Sequence, residues 1–211
     1  AAQREPFALW HPYLGRLLNG LALAKPAVVG LDVALPARSF DFLIPQYDRP
    51  LLDGLTALHK VAPVVLAKSL DDRGNQRVIF PAYLAIAGLD GVGSVIICRD
   101  PDHIVRRYDE RECGFGETET SFAGSMAQHL GVQKKSWQGF INYSIGDAIT
   151  YIPATTVFEW IEHNNVASLS EAFRGKPVML GMIQPLTDRY PLPVALAAFE
   201  PNGRLLPGVL I

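Results

Sequence analysis

The chain is poor in cysteine, in charge of one sign and in long apolar runs, and each shortage closes off a class of function. Only Cys98 and Cys113 occur in 211 residues, with no CxxC spacing and no paired Cys/His set. Nothing there supports a structural zinc site. Lys and Arg number 19 against 21 Asp and Glu, so no global basic field is available for nucleic acid. No apolar run reaches the roughly 18 to 20 residues of a membrane span. The opening Ala1-Ala2-Gln3-Arg4-Glu5-Pro6 is not the charged start and apolar stretch of a signal peptide. Catalytic signatures are missing too. Ser125, in Ala123-Gly124-Ser125-Met126, lacks the second glycine and the preceding strand of a nucleophile elbow. There is no P-loop, and the glycine-rich Gly88 to Gly93 precedes a strand instead of following one, which makes it a turn rather than a dinucleotide fingerprint.

What is present is a globular composition. A hydrophobic fraction of 49% excludes disorder, and the length suits a single domain, 1–211, with a substantial core. The chain has no initiator Met and closes on Leu206-Pro207-Gly208-Val209-Leu210-Ile211, so we expect a segment of a longer protein. The two cysteines leave two readings open. One is a disulfide closing a loop of about 15 residues, worth about 3 kcal/mol in an oxidising compartment. The other is a buried thiol behind a strand and a second thiol in a loop.

Along the chain, apolar Trp10, Leu14, Leu17, Leu18 and Leu21 have helical spacing, with Pro12 near the first turn and Lys25-Pro26 as a stop. Asp48-Arg49-Pro50 reads as an N-cap entry to a second helix carrying Leu51, Leu52, Leu55 and Leu58. Further helices are expected before Gly88, over Thr120 to Leu130, over Thr155 to His163 and over Ser170 to Phe173. Short apolar runs at 27–33, 63–67, 78–80, 94–98, 140–143 and 178–181 read as strands, and Ile104 to Tyr108 as an edge or hairpin strand. Buried strands alternating with helices predict a three-layer α/β domain, a mostly parallel central sheet with helices on both faces.

In such a sheet, ligands collect in the crevice outside the carboxyl ends of the strands. Asp32, Lys68, Arg99, Asp100, Gln184 and Asp188 fall after strands and can converge there, or they can cap helices and pair with Arg106. The five histidines are scattered. Glu159 and His163 share a helical face, more simply as a solvated pair than as metal ligands. Trp137, Phe140, Tyr143, Phe158 and Trp160 could line a pocket, with core packing as the default. Asn142-Tyr143-Ser144 fits the glycosylation sequon, a match too common to carry weight.

An ordered set of segments resembles the CHASE2 domain, an extracytoplasmic sensory module of bacterial transmembrane receptors. In order these are Pro26-Ala27-Val28-Val29-Gly30-Leu31-Asp32, Asp48 before the second helix, and Pro63-Val64-Val65-Leu66-Ala67. Asp100-Pro101-Asp102-His103-Ile104-Val105-Arg106 is similar to the family's D-x-D-G-V-V-R segment, with His103 where the family has Gly. Ser121-Phe122-Ala123, Ile141-Asn142-Tyr143, Phe173 to Gly181 with Asp188 beyond, and Pro207 to Ile211 complete the series. Arg189-Tyr190-Pro191 replaces the family's Thr-Pro after the aspartate. The resemblance runs roughly from Trp10 to Ile211.

It implies a periplasmic or otherwise extracytoplasmic input domain, without a cofactor, in a membrane-anchored and homodimeric receptor. The output would be a histidine kinase, a Ser/Thr kinase, or an adenylate or diguanylate cyclase. A small-molecule or environmental signal would shift a conformational population, with Asp32, Lys68, Arg99, Asp100, Arg106, Tyr143 and Asp188 as ligand-binding candidates. Extracytoplasmic placement also favours the Cys98–Cys113 disulfide. Two other readings compete: a metal-assisted α/β hydrolase using Asp32, Asp102, His103 and Asp188, and a protein-interaction module with no small ligand.

Overall fold

The apolar runs of the first half condense into one parallel sheet. A computed structural model describes residues 9–71, 73–109, 120–133, 138–143, 150–183, 189–193 and 205–207. Cys113, Trp137, Ser144, Gln184, Asp188 and residues 208–211, all singled out above, lie outside the described residues. The elements run α1 (His11–Ala24), β1 (Val28–Asp32), α2 (Arg49–His59), β2 (Val64–Lys68), α3 (Pro81–Ala87) and β3 (Val92–Ser94). Then come β4 (Arg107–Asp109), α4 (Phe122–His129), β5 (Gln138–Phe140), α5 (Ala154–Glu162), α6 (Val166–Phe173), β6 (Pro177–Gly181), β7 (Arg189–Pro191) and β8 (Leu205–Pro207).

The sheet has the order β3-β2-β1-β6 and all its pairs are parallel. β1 and β2 are buried along four successive residues each, as strands covered on both faces must be. Strand alternation separates two cores. Val29, Leu31, Val64 and Leu66 face a large core built with α1, α2, α3, α5 and α6. Val28, Val65 and Ala67 face Phe122 and Met126 of α4. The expected three layers are present, with the helices unevenly shared between the faces. A smaller apolar centre, Val105 and Leu192 with Ile97, Ile141, Tyr143 and Tyr190, sits beside the antiparallel pairs β4–β5 and β7–β8.

Helix α1 buries Leu14, Leu17, Leu18, Leu21 and Ala24 and ends where Lys25 turns left-handed (φ 55°) before Pro26. It crosses α2 at glycine on glycine. A Cβ on Gly15 would strike the Pro50 carbonyl, and one on Gly54 would lie 2.9 Å from the Gly15 Cα.

Four expected strands differ. Residues 78–80 form none: Arg77 N–H donates to the Ser69 carbonyl and Phe80 N–H to that of Pro36, so this backbone is satisfied by loops while Ile79 drops into the core and Phe80 packs against it. β3 is shorter and earlier than the apolar run 94–98. After Ser94, whose N–H donates to the Thr120 carbonyl, the chain leaves the sheet and Ile97 joins the Val105 centre. The expected strands 104–108 and 140–143 are displaced: β4 keeps only Arg107 and Tyr108 of the first and β5 only Phe140 of the second, and the two pair antiparallel.

Candidate functional site

The strand order reverses between β1 and β6, which places Asp32 opposite Gly181 at the switch point, where open α/β sheets usually hold ligands. Asp32 shares its face with Val28 and Gly30, the α4 side. Lys68 is in step with Val64 and Leu66 and belongs to the opposite face. The two side chains therefore do not share one crevice, because their positions differ by an odd number of residues in the register.

Lys68 instead lines a half-open cavity of about 230 Å³ at the β3 edge, with Asp90, Ser94, Thr120, Ser125 and Gln128 among its walls. Helix α4 builds this cavity. Ser121 caps it by accepting the Gly124 N–H at 3.0 Å, and Ser121 also bridges to Ser94. One turn on, the buried Ser125 hydroxyl donates to the Asp90 carbonyl at 2.9 Å, and His129 Nε2 reaches the same oxygen at 3.3 Å. Gly93 has no room for a side chain, since a Cβ would lie 2.5 Å from the Phe122 Cα. The glycine-rich turn before β3 thus serves close packing. Asp90, Ser94, Thr120, Ser125 and Gln128 escape sequence reasoning because nothing local marks them as neighbours of Lys68.

The remaining candidates gather around the small apolar centre. Arg106 pairs with Asp100 at 2.9 Å and Asp102 at 2.8 Å, and Arg107 reaches Asp100 at 2.9 Å. These guanidinium hydrogen bonds hold the Asp102 carboxyl down at about 2 and push Asp100 below its usual range. Arg99 stands over the Tyr190 ring, 5.6 Å from its centre. Tyr143 donates its hydroxyl to the Val105 carbonyl at 3.1 Å, and burial pushes its pKa up to about 12. The Asp100–Arg106 contact closes a tight turn in which His103 N–H donates to the Asp100 carbonyl at 2.8 Å and Asp100 N–H to that of Ile104 at 3.0 Å. His103 is left-handed there, φ 64°, so the turn keeps a glycine-type backbone without the glycine. His103→Gly is expected to raise unfolding stability by about 0.5 to 1 kcal/mol, as relief of the left-handed strain exceeds the entropic cost of glycine. A urea midpoint no higher than wild type would refute this.

A second polar site lies inside the large core. His11 Nδ1 donates to Asp48 Oδ1 at 2.9 Å, the residues being 2% and 1% exposed. Both Asp48 carboxylate oxygens also accept the Phe40 N–H, at 3.2 and 3.0 Å, and Asp48 N–H donates to Asp41 at 2.9 Å. Asp48 occupies the N-cap position of α2 but makes no side-chain cap; the expected cap is replaced by this buried link. The Phe40 and Tyr47 rings lie 5.3 and 5.0 Å from the imidazole. Tyr83, fully buried, has no hydrogen-bond partner for its hydroxyl among the described residues, and burial raises its pKa and keeps it protonated.

His163 donates Nδ1 to the Glu159 carbonyl at 2.8 Å, a local helix-end contact. Among the described residues no three His, Cys, Asp or Glu side chains cluster as metal ligands, and no helix is long and apolar enough to cross a membrane.

A parallel sheet between helical layers, with a polar cavity at its edge and the buried His11–Asp48 link, defines a three-layer α/β domain. The family model of the CHASE2 domain matches residues 4–211. The chain belongs to the CHASE2 family, whose members are extracytoplasmic sensory domains of signalling receptors and not catalytic modules. No curated protein and no solved structure matches it.

Proposed function

We propose that this domain is the input module of a membrane-anchored, homodimeric bacterial receptor, placed on the periplasmic or outer face. It takes a small ligand at the β3-edge cavity and passes a conformational change to a kinase or cyclase output. Family membership over nearly the whole chain carries the reading. The cavity walled by Lys68, Ser94, Thr120 and Ser125 supplies a place for the signal. Ligand binding would favour one packing of α4 on the sheet edge, and the shift in population is the output. Asp32, at the switch point, and Asp188 remain candidates for a second contact; Arg99, Asp100, Arg106 and Tyr143 act in this reading as the frame of the neighbouring turn.

Cys98 is disulfide-bonded, in keeping with an oxidising compartment, and Cys113, the other cysteine of the chain, is its partner in this reading. Cys98→Ser is expected to cost about 3 kcal/mol under oxidising conditions. A variant as stable as the wild type would remove this support for outer placement. A thermal-shift screen of small polar metabolites tests the sensory reading. A compound at 100 times its dissociation constant adds about 2.7 kcal/mol, and Lys68→Ala should abolish its effect. Stabilisation by no compound would favour a protein-interaction module.

A further inference from the structure

The loop between β1 and α2 carries an apolar tip that the fold holds out in solvent. Phe42, Leu43 and Ile44 are consecutive and 63%, 62% and 46% exposed, and every residue from Asp41 to Gln46 is exposed. Backbone bonds fix the shape of the tip. Leu43 and Ile44 N–H donate to the Phe40 carbonyl at 2.9 and 3.1 Å, and Tyr47 N–H to that of Ile44 at 3.1 Å. At its base the Asp48 carboxylate accepts the Phe40 N–H and holds His11, in the first turn of α1. Asp41, the carboxylate of the tip, turns back to accept the Asp48 N–H at 2.9 Å. Arg49, just beyond the loop, pairs with Asp53 at 3.5 Å and adds no net charge. The exposed Arg38 guanidinium stands over the Phe42 ring, 5.2 Å from its centre, so a cation is held at the rim of the apolar tip.

Three large apolar side chains in a row differ from the scattered single ones that any surface carries, and such patches mark protein or membrane contacts. Size and shape decide between the two. The tip exposes on the order of 300 Å² of apolar surface, short of the about 800 Å² per partner in a stable protein interface. A protruding tip also needs a matching pocket in a protein partner, whereas a bilayer closes around it. We propose that residues 41–46 form a membrane-contact loop: Phe42, Leu43 and Ile44 enter the headgroup and upper acyl region of a phospholipid bilayer, and Arg38 binds lipid phosphate at the rim. An apolar tip below a cation matches the order of such a surface, acyl chains beneath and anionic groups above. The fixed shape of the loop lowers the ordering cost of the contact. This contact goes beyond the sensory reading and is independent of the β3-edge cavity.

The test is flotation of the domain with vesicles of phosphatidylglycerol mixed with phosphatidylcholine, and of phosphatidylcholine alone. The wild type should float with the mixed vesicles, and less with phosphatidylcholine alone or at raised salt. Phe42→Ser and Leu43→Ser should each weaken partition about tenfold, as a partly buried apolar side chain is lost, and Arg38→Gln about fivefold. All three positions are exposed, so these variants should keep the wild-type urea midpoint. Leu89→Ser, at a leucine 101% exposed in the turn before β3, should float like the wild type. Absence of flotation overturns the proposal, and so does flotation that Phe42→Ser and Leu43→Ser leave unchanged or that Leu89→Ser weakens equally. Flotation unchanged in Arg38→Gln overturns the role of Arg38. If Phe42→Ser and Leu43→Ser instead alter the sedimentation of the lipid-free domain, the tip joins copies of this chain and the proposal fails.

Discussion

Gly15→Ala is expected to destabilise the domain by about 2 kcal/mol in urea unfolding, although alanine is the better helix former. Replacing a mid-helix glycine by alanine gains about 1 kcal/mol of propensity. Against that, the new Cβ would strike the Pro50 carbonyl and sit 3.0 Å from the Leu51 nitrogen. Those atoms are backbone of α2 and cannot swing aside, so the helices must part, at about 3 kcal/mol for overpacking of this kind. Gly54→Ala should behave alike, since its Cβ would lie 2.9 Å from the Gly15 Cα and 3.1 Å from the Gly15 carbonyl carbon. Gly20→Ala is the internal contrast. Its Cβ would meet only the end of the Ile161 side chain, which can change rotamer for roughly 0.5 to 1.5 kcal/mol, close to the propensity gained. That variant should stay near the wild-type midpoint. Equal midpoints for Gly15→Ala and wild type would mean that α1 and α2 do not cross at these glycines.

Removing the Asp48 carboxylate should cost more, about 3 kcal/mol or above. Asp48→Ala strands the His11 Nδ1–H and the Phe40 N–H, which are both donors to it, and breaking a buried, hydrogen-bonded acidic pair on one side is among the most destabilising single changes. Asp48→Asn keeps one acceptor oxygen and should fall between. The same site sets a pH dependence. Burial lowers the His11 pKa below its usual value, outweighing the attraction of Asp48 and of the neighbouring Asp41. The unfolded chain then binds a proton near pH 6.5 that the folded chain resists. Stability from this group is fully present above about pH 6.5 and is lost as pH falls from there through the lower folded pKa. Urea midpoints between pH 7.5 and 5 should therefore decline in the wild type. The decline should flatten in His11→Asn, itself less stable at neutral pH. A slope unchanged in that variant would assign it to another group.

Much of the architecture was readable without coordinates. The helix of Leu14, Leu17, Leu18 and Leu21 lies one residue inside its expected start, because apolar spacing, Pro12 and Lys25-Pro26 are local signals. The runs expected at 27–33, 63–67 and 178–181 became β1, β2 and β6; for β1 and β2 this is because continuous apolar residues suit strands buried on both sides. The ordered CHASE2 segments were visible for the same reason: they are stretches of contiguous residues.

Register and docking were not visible. Asp32 and Lys68 both follow apolar runs, yet a one-residue offset in the parallel register puts them on opposite faces, and no local pattern encodes an offset between strands. Asp90, Ser94 and Gln128 become one wall only when α4 lies against β3. His11 and Asp48, 37 residues apart, look in the sequence like a stray histidine and a helix cap. By itself, then, the sequence determined the kinds of element, their order and the family. The tertiary structure alone decided which polar groups meet, because those meetings depend on strand register and helix packing, which join residues far apart in the chain.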